Sequence, residues 1–159
     1  MNQDEALREH LLYLLGGGGA HVDFESAVAD FPAGKAHTKV GRLPYTAWDV
    51  LEHMRIAQRD ILEFCRNADY VSPKWPEGYW PAKGVGPGEG SWAESVERFR
   101  ADLEEMKALV ADTRTDLFAR VPHGDGQTIL REALLVADHN AYHLGVLVTM
   151  KRLLEEPAD

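Results

Sequence analysis

The chain has 159 residues, 45% of them hydrophobic and 27% charged, with a formal net charge of −9 at pH 7. This length suits a single domain, residues 1–159, with a real core, and the acidic balance speaks against nucleic acid, whose phosphates need clustered Lys and Arg. No apolar run approaches the roughly 20 residues of a membrane span, and Met1-Asn2-Gln3-Asp4-Glu5 lacks a secretory pattern, so a cytoplasmic protein without a membrane partner is expected.

Asp4 to Leu15 reads as the first helix, with Leu7, Leu11, Leu14 and Leu15 on its apolar face and Asp4-Glu5 favoured by the helix dipole. Gly16 to Gly19 ends it as a flexible connector; with no Gly-Lys-Ser/Thr ending and no strand before it, it is no phosphate loop. Asp23 can cap a short helix through Phe31, interrupted by Pro32 and Gly34, whose Val22, Phe24, Val28 and Phe31 would cover one end of a bundle. His21 and His37 fall here and read as structural or exposed.

The second main helix runs from Thr46 to about Arg66, with Thr46 as N-cap and Asp49 in the capping-box position. Val50, Leu51, Met54, Ala57, Ile61, Leu62, Phe64 and Cys65 make a broad apolar face, which puts His53 at or beside the core. Asp49 lies one turn before His53, placed either to accept its second ring N–H or to serve only as the cap. Cys65 has no partner for an internal disulfide, which agrees with a reducing compartment, and reads as a packed thiol near the helix end.

The pattern stops from Ala68 to Gly90, a stretch rich in Pro and Gly that also carries Trp75, Tyr79 and Trp80. Such aromatics anchor a long loop to the body or wall a binding pocket. The loop is long enough to carry the chain from one end of a bundle to the other, leaving the second and third helices parallel.

The third helix, Ser91 to about Asp112, has Ser91 as N-cap with Glu94 three residues on; Trp92, Val96, Phe99, Leu103, Met106 and Val110 form a packing seam without histidine. A polar connection with turn chemistry at Val121-Pro122-His123-Gly124-Asp125-Gly126 follows, and Thr128 caps the fourth helix. His123, a few helical turns from His139, is too distant to be a ligand.

That last helix, Ile129 to about Leu154, contains Asp138-His139-Asn140-Ala141-Tyr142-His143-Leu144, with Leu135, Val136, Val146, Leu147 and Met150 on the inward stripe. Histidines four apart sit about 40° apart around the axis and roughly 6 Å along it, so both rings reach one point. Alone, the pair is as readily two hydrogen-bonded core histidines; His53 on a second helix supplies a third ligand for one ion. Glu132, two turns before His139, is a candidate supporting or proton-transfer residue, with a solvent-facing carboxylate as the more ordinary reading. Tyr142, Trp75, Tyr79 and Trp80 are the candidate pocket residues.

Four amphipathic helices with one histidine on the second and H-x-x-x-H on the fourth resemble the DinB-like family of metal-dependent enzymes over nearly the whole chain. Trp48-Asp49-Val50-Leu51-Glu52-His53 is similar to its histidine-bearing second helix, and Thr128-Ile129-Leu130-Arg131-Glu132-Ala133-Leu134, leading to His139 and His143, to its fourth. The resemblance implies an all-α four-helix bundle in up-down-down-up order, with long loops between helices 1 and 2 and between helices 2 and 3. It also implies a three-histidine site at His53, His139 and His143 for zinc, nickel or manganese, and a small-molecule substrate. Some relatives are thiol S-transferases or isomerases that use a low-molecular-weight thiol. Three imidazoles leave a coordination position open, the pattern of a catalytic site, which suits thiol transfer or hydrolysis alike. The rival expectations are a metal-free or metal-stabilised ligand-binding module, and a bundle built for self-association, for which the leucine-rich first helix makes a homodimer reasonable.

Overall fold

Asn2 opens the first helix by accepting the Glu5 amide, while the Glu5 carboxylate accepts the Asn2 amide, both at 2.8 Å. This capping box starts α1 at Gln3, one residue earlier than expected, and the helix runs Gln3–Leu15. In this computed structural model, which describes residues 2–17, 19–82 and 91–155, four further α-helices follow: α2 Phe24–Val28, α3 Ala47–Arg66, α4 Ser91–Ala111 and α5 Ile129–Glu155. Single 3₁₀ turns lie at Ala33–Lys35 and Glu77–Tyr79, and there is no strand among the described residues, only two isolated bridges.

α3 packs along both α4 and α5, and α1 closes the other side against the same two helices. One buried core joins Leu11 and Leu15 of α1 to Leu51, Met54 and Leu62 of α3, Phe99 and Met106 of α4, and Leu147 and Met150 of α5. Apolar burial of this kind stabilises by about 25 cal/mol per Å². Contacts between α3 and α5 descend in α5 as they ascend in α3, from His53 with His143 to Gln58 with Asn140, so these two helices are antiparallel. Between α3 and α4 the pairs Gln58 with Phe99, Arg59 with Asp102, and Arg66 with Glu105 rise together, so these run in one direction.

The short α2 ends at Val28, before the expected Phe31, because the chain turns through Asp30 at a left-handed φ of 54°. Phe24 and Phe31 still cover the bundle end, stacked on Phe99 and Trp92 with ring centroids 4.1 Å apart in each pair. Val22, expected to join them, is exposed instead. Of the glycine connector, residue 18 lies outside the described residues; at Gly19 the φ of 94° lies in the left-handed region that favours glycine. Arg8 sits inside the α1 face that reads as leucine-only: its guanidinium donates to the carbonyls of Val110, Asp112 and Thr115, closing the C-terminal end of α4. No helix among the described residues is long and apolar enough to cross a membrane.

The starts of the two histidine-bearing helices are built alike. Thr46 accepts the Asp49 amide at 3.2 Å, and Thr128 accepts the Arg131 amide at 3.2 Å. Each threonine also forms an isolated antiparallel bridge, Thr46 with Lys39 and Thr128 with Arg120. The cap expected at Ser91 is different: Ser91 stands in the first turn of α4, its hydroxyl pairs with His37 Nε2 at 3.1 Å, and residues 83–90 lie outside the described residues.

Candidate metal centre

Because α3 and α5 are antiparallel, residues seven into α3 and mid-way along α5 meet at one level. His53 Nε2 lies 3.1 Å from His143 Nε2 and 3.1 Å from His139 Nε2. The ligand nitrogens of all three fall within 4.8 Å of one another. The rings meet edge to face, with centroids 4.9 Å and 4.6 Å from His53 and 4.5 Å between His139 and His143. His53 is 4% exposed, while His139 and His143 are half-buried, so the trio opens toward solvent on the α5 side.

The tautomer of His53 follows from its other nitrogen. Nδ1 is 2.7 Å from the Tyr79 carbonyl oxygen, which only accepts, so Nδ1 carries the proton and Nε2 presents a lone pair. A single lone pair cannot accept well from two imidazole N–H groups at once, so hydrogen bonding between the rings leaves the arrangement frustrated. A cation resolves it. Three nitrogens each about 2.0–2.1 Å from one ion at tetrahedral angles stand about 3.3 Å apart, close to the separations seen. The donor set is all imidazole, suited to zinc, nickel and other borderline divalent ions.

Protonation does not compete near neutrality. Burial, followed by the fields of its imidazole neighbours, holds His143 at about 4, and burial with the His53 field does the same for His139. Burial also lowers His53, against the raising effect of the Tyr79 carbonyl. All three are therefore neutral ligands at pH 7.

The surrounding residues divide. Trp80 lies flat on His53, ring centroids 4.2 Å apart and planes within 4°, and Tyr45 stacks behind it at 5.6 Å. Trp80 thus walls the centre. Tyr142, 72% exposed, sets its ring edge-on to His143 at 4.9 Å on the open side. Trp75 is 71% exposed and touches Tyr79 at 5.3 Å, so it stands out on the loop instead of lining the centre. Tyr79 contributes its main-chain carbonyl to His53 and its hydroxyl to Asp60.

Two expected supports are placed elsewhere. Asp49 spends its carboxylate on the Thr46 amide and hydroxyl, both at 2.8 Å, and the acceptor for His53 is the Tyr79 carbonyl in its place. Glu132 is 2% exposed, which overturns the solvent-facing reading, yet no hydrogen bond joins it to the imidazoles among the described residues. It accepts from Arg131 at 2.6 Å and lies beside Cys65, whose thiol is pushed up to about 12 by burial and then by the Glu132 charge. His21, His37 and His123 bond to Val22 O, Ser91 Oγ and Phe64 O, away from the trio.

Sequence reading passed over Gln58 and Asn140. Gln58 Nε2 donates to the Phe99 carbonyl and its Oε1 accepts from the Asn140 amide, each at 2.8 Å, tying α3, α4 and α5 together beside His139. The available signal was an uncharged polar residue inside the apolar face of α3.

A family model described as the DinB superfamily matches residues 19–147, which include all three histidines. No curated protein and no solved structure matches the chain.

Proposed function

Because the chain belongs to the DinB superfamily, we propose that it is a divalent-metal-dependent enzyme acting on a small molecule, a thiol S-transferase or a hydrolase. The observation that supports this best is the convergence of His53, His139 and His143 from two helices on one point, with the nitrogens spaced for a single ion. Zinc, nickel and manganese all fit the expectation, and a low-molecular-weight thiol is the proposed co-substrate. A divalent ion held by His53, His139 and His143 would supply Lewis acidity, which makes a water or thiol bound to it easier to deprotonate.

The residues of the chain supply the rest. His53 is held in one tautomer by the Tyr79 carbonyl, and Trp80 and Tyr45 exclude water from its buried face. Tyr142 overhangs the open side, where a substrate would approach His143. We place the site in one domain, residues 1–159, of a four-helix bundle in up-down-down-up order, which the parallel register of α3 and α4 supports. A cytoplasmic homodimer with neither a nucleic-acid nor a membrane partner completes the proposal.

Metal analysis of untagged protein beside a His139→Ala variant tests it. About one ion per chain in the parent and none in the variant is expected; equal content in both rejects the centre. Retention of the ion with no exchangeable coordination position, read by cobalt(II) spectra with and without added thiol, favours instead a ligand-binding module.

A further inference from the structure

The loop carbonyl that fixes His53 belongs to a turn with little of its own to hold it. Tyr79 closes the 3₁₀ turn Glu77–Tyr79, in a stretch where Val71, Trp75, Pro76, Glu77 and Gly78 are all exposed. Its phenol, however, reaches inward and donates to Asp60 Oδ2 at 2.6 Å. Asp60 is 8% exposed, and the Tyr70 phenol, from the same loop, is a second hydrogen-bonding neighbour of its carboxyl. Seven residues separate His53 from Asp60, which sets them about 20° apart around α3 and about 10 Å apart along it. One tyrosine therefore spans two turns of the helix, main chain over the histidine and hydroxyl over the carboxylate.

A carboxylate that deep in an apolar face costs free energy unless it is hydrogen-bonded, and no arginine pairs with Asp60 among the described residues. Its 2.6 Å bond is to the residue whose carbonyl orients a ligand. We propose that Asp60 and Tyr79 form a clasp that holds the 67–82 loop against His53 and thereby sets the divalent-metal affinity of the three-histidine centre. Both are positioning residues, acting through the Nδ1–H of His53, and the proposal rests on the metal-centre reading given above. Coupling of this kind is reciprocal, so an ion bound at Nε2 also tightens the loop.

The test uses Zn²⁺ alone, titrated into metal-free protein against a chromophoric chelator, with imidazole ¹H–¹⁵N spectra of the metal-free protein as a second readout. Tyr79→Phe keeps the ring and removes the clasp; it is expected to weaken Zn²⁺ binding roughly ten- to a hundredfold and to admit the second His53 tautomer. Asp60→Asn keeps an acceptor oxygen for the Tyr79 phenol and is expected to weaken Zn²⁺ binding less than Tyr79→Phe does; a larger loss than that of Tyr79→Phe counts against the clasp. If the unpaired Asp60 charge keeps Tyr79→Phe from folding, the double variant Tyr79→Phe, Asp60→Asn removes clasp and charge together and carries the same expectation. Unchanged affinity and a single tautomer in whichever variant folds overturn the proposal and show that the Trp80 stack and Tyr70 hold the turn without the Tyr79 hydroxyl. A parent that binds no Zn²⁺ overturns the metal centre itself, which distinguishes the two failures.

Discussion

Asn140 donates its side-chain amide to Gln58 Oε1 at 2.8 Å, one residue after His139, and so ties α5 to α3 at the level of the three imidazoles. Gln58 is fully buried, so this bond satisfies a polar group that has no access to water.

Replacing Gln58 by Leu leaves the Asn140 amide without its acceptor and should destabilise the protein by about 1–3 kcal/mol in urea unfolding. Adding Asn140→Leu removes the stranded amide and should recover part of that loss. Two additive losses would mean that the pair is not coupled.

Metal should stabilise the native state by binding it alone. At free Zn²⁺ about a hundredfold above Kd the gain is about 2.7 kcal/mol, roughly 5–10 °C in Tm for a chain of this length. His53→Ala and His143→Ala should abolish the shift while keeping the helical circular dichroism. A shift of equal size in either variant would place the ion elsewhere.

Acid should weaken the metal-free protein between pH 6.5 and 4. His139 and His143 are held at about 4 in the folded chain, mainly by burial, while free imidazoles titrate near 6.5. In that window the unfolded chain binds more protons, so stability falls as pH falls and the loss is complete below about 4. The Asn140 side chain, and after it the Asp138 charge, pull His139 the other way without reversing the direction. The double variant His139→Gln, His143→Gln should lose this part of the slope, leaving the carboxylates' share; an unchanged profile would show that the rings are solvated.

Cys65 should be inert. With the thiol pushed up to about 12, thiolate at pH 8 is about one part in ten thousand, and a thiol-specific reagent should react only after unfolding. Cys65→Ala should leave Zn²⁺ affinity unchanged. Rapid native-state labelling would show that Glu132 and burial do not control this thiol.

What could be read from the chain alone, and what could not, follows from the range of the interactions. Thr46 with Asp49, and the i, i+4 spacing of His139 and His143, are local patterns, and they placed α3, α5 and two of the three imidazoles at one level. His53 joined them only because a second apolar stripe implied a second inward helix. The supports are another matter. The Tyr79 carbonyl, the Asp60 acceptor, the Gln58–Asn140 pair and the Arg8 cap of α4 join residues 19 to 107 positions apart. A side chain's type shows that it needs a partner but not which one. Glu132 shows the same limit: its period on the helix fits either face, and only its burial in the folded chain reveals that it is inside.

The bridges at Thr46 and Thr128 act as zero marks on two rulers. Each pins the residue just before a ligand-bearing helix, so the imidazoles sit at set counts of seven and of eleven and fifteen residues beyond it. One residue inserted within a helix, between mark and histidine, would turn that ring by about 100° and scatter the trio, yet leave much of the helix able to form. Residues added before Lys39 or between Ala111 and Arg120 leave both counts intact. Variation in length outside the marks therefore leaves the register of the centre intact, provided that a redesign also keeps the Arg8 contacts to Asp112 and Thr115 and the Phe24 and Phe31 cover.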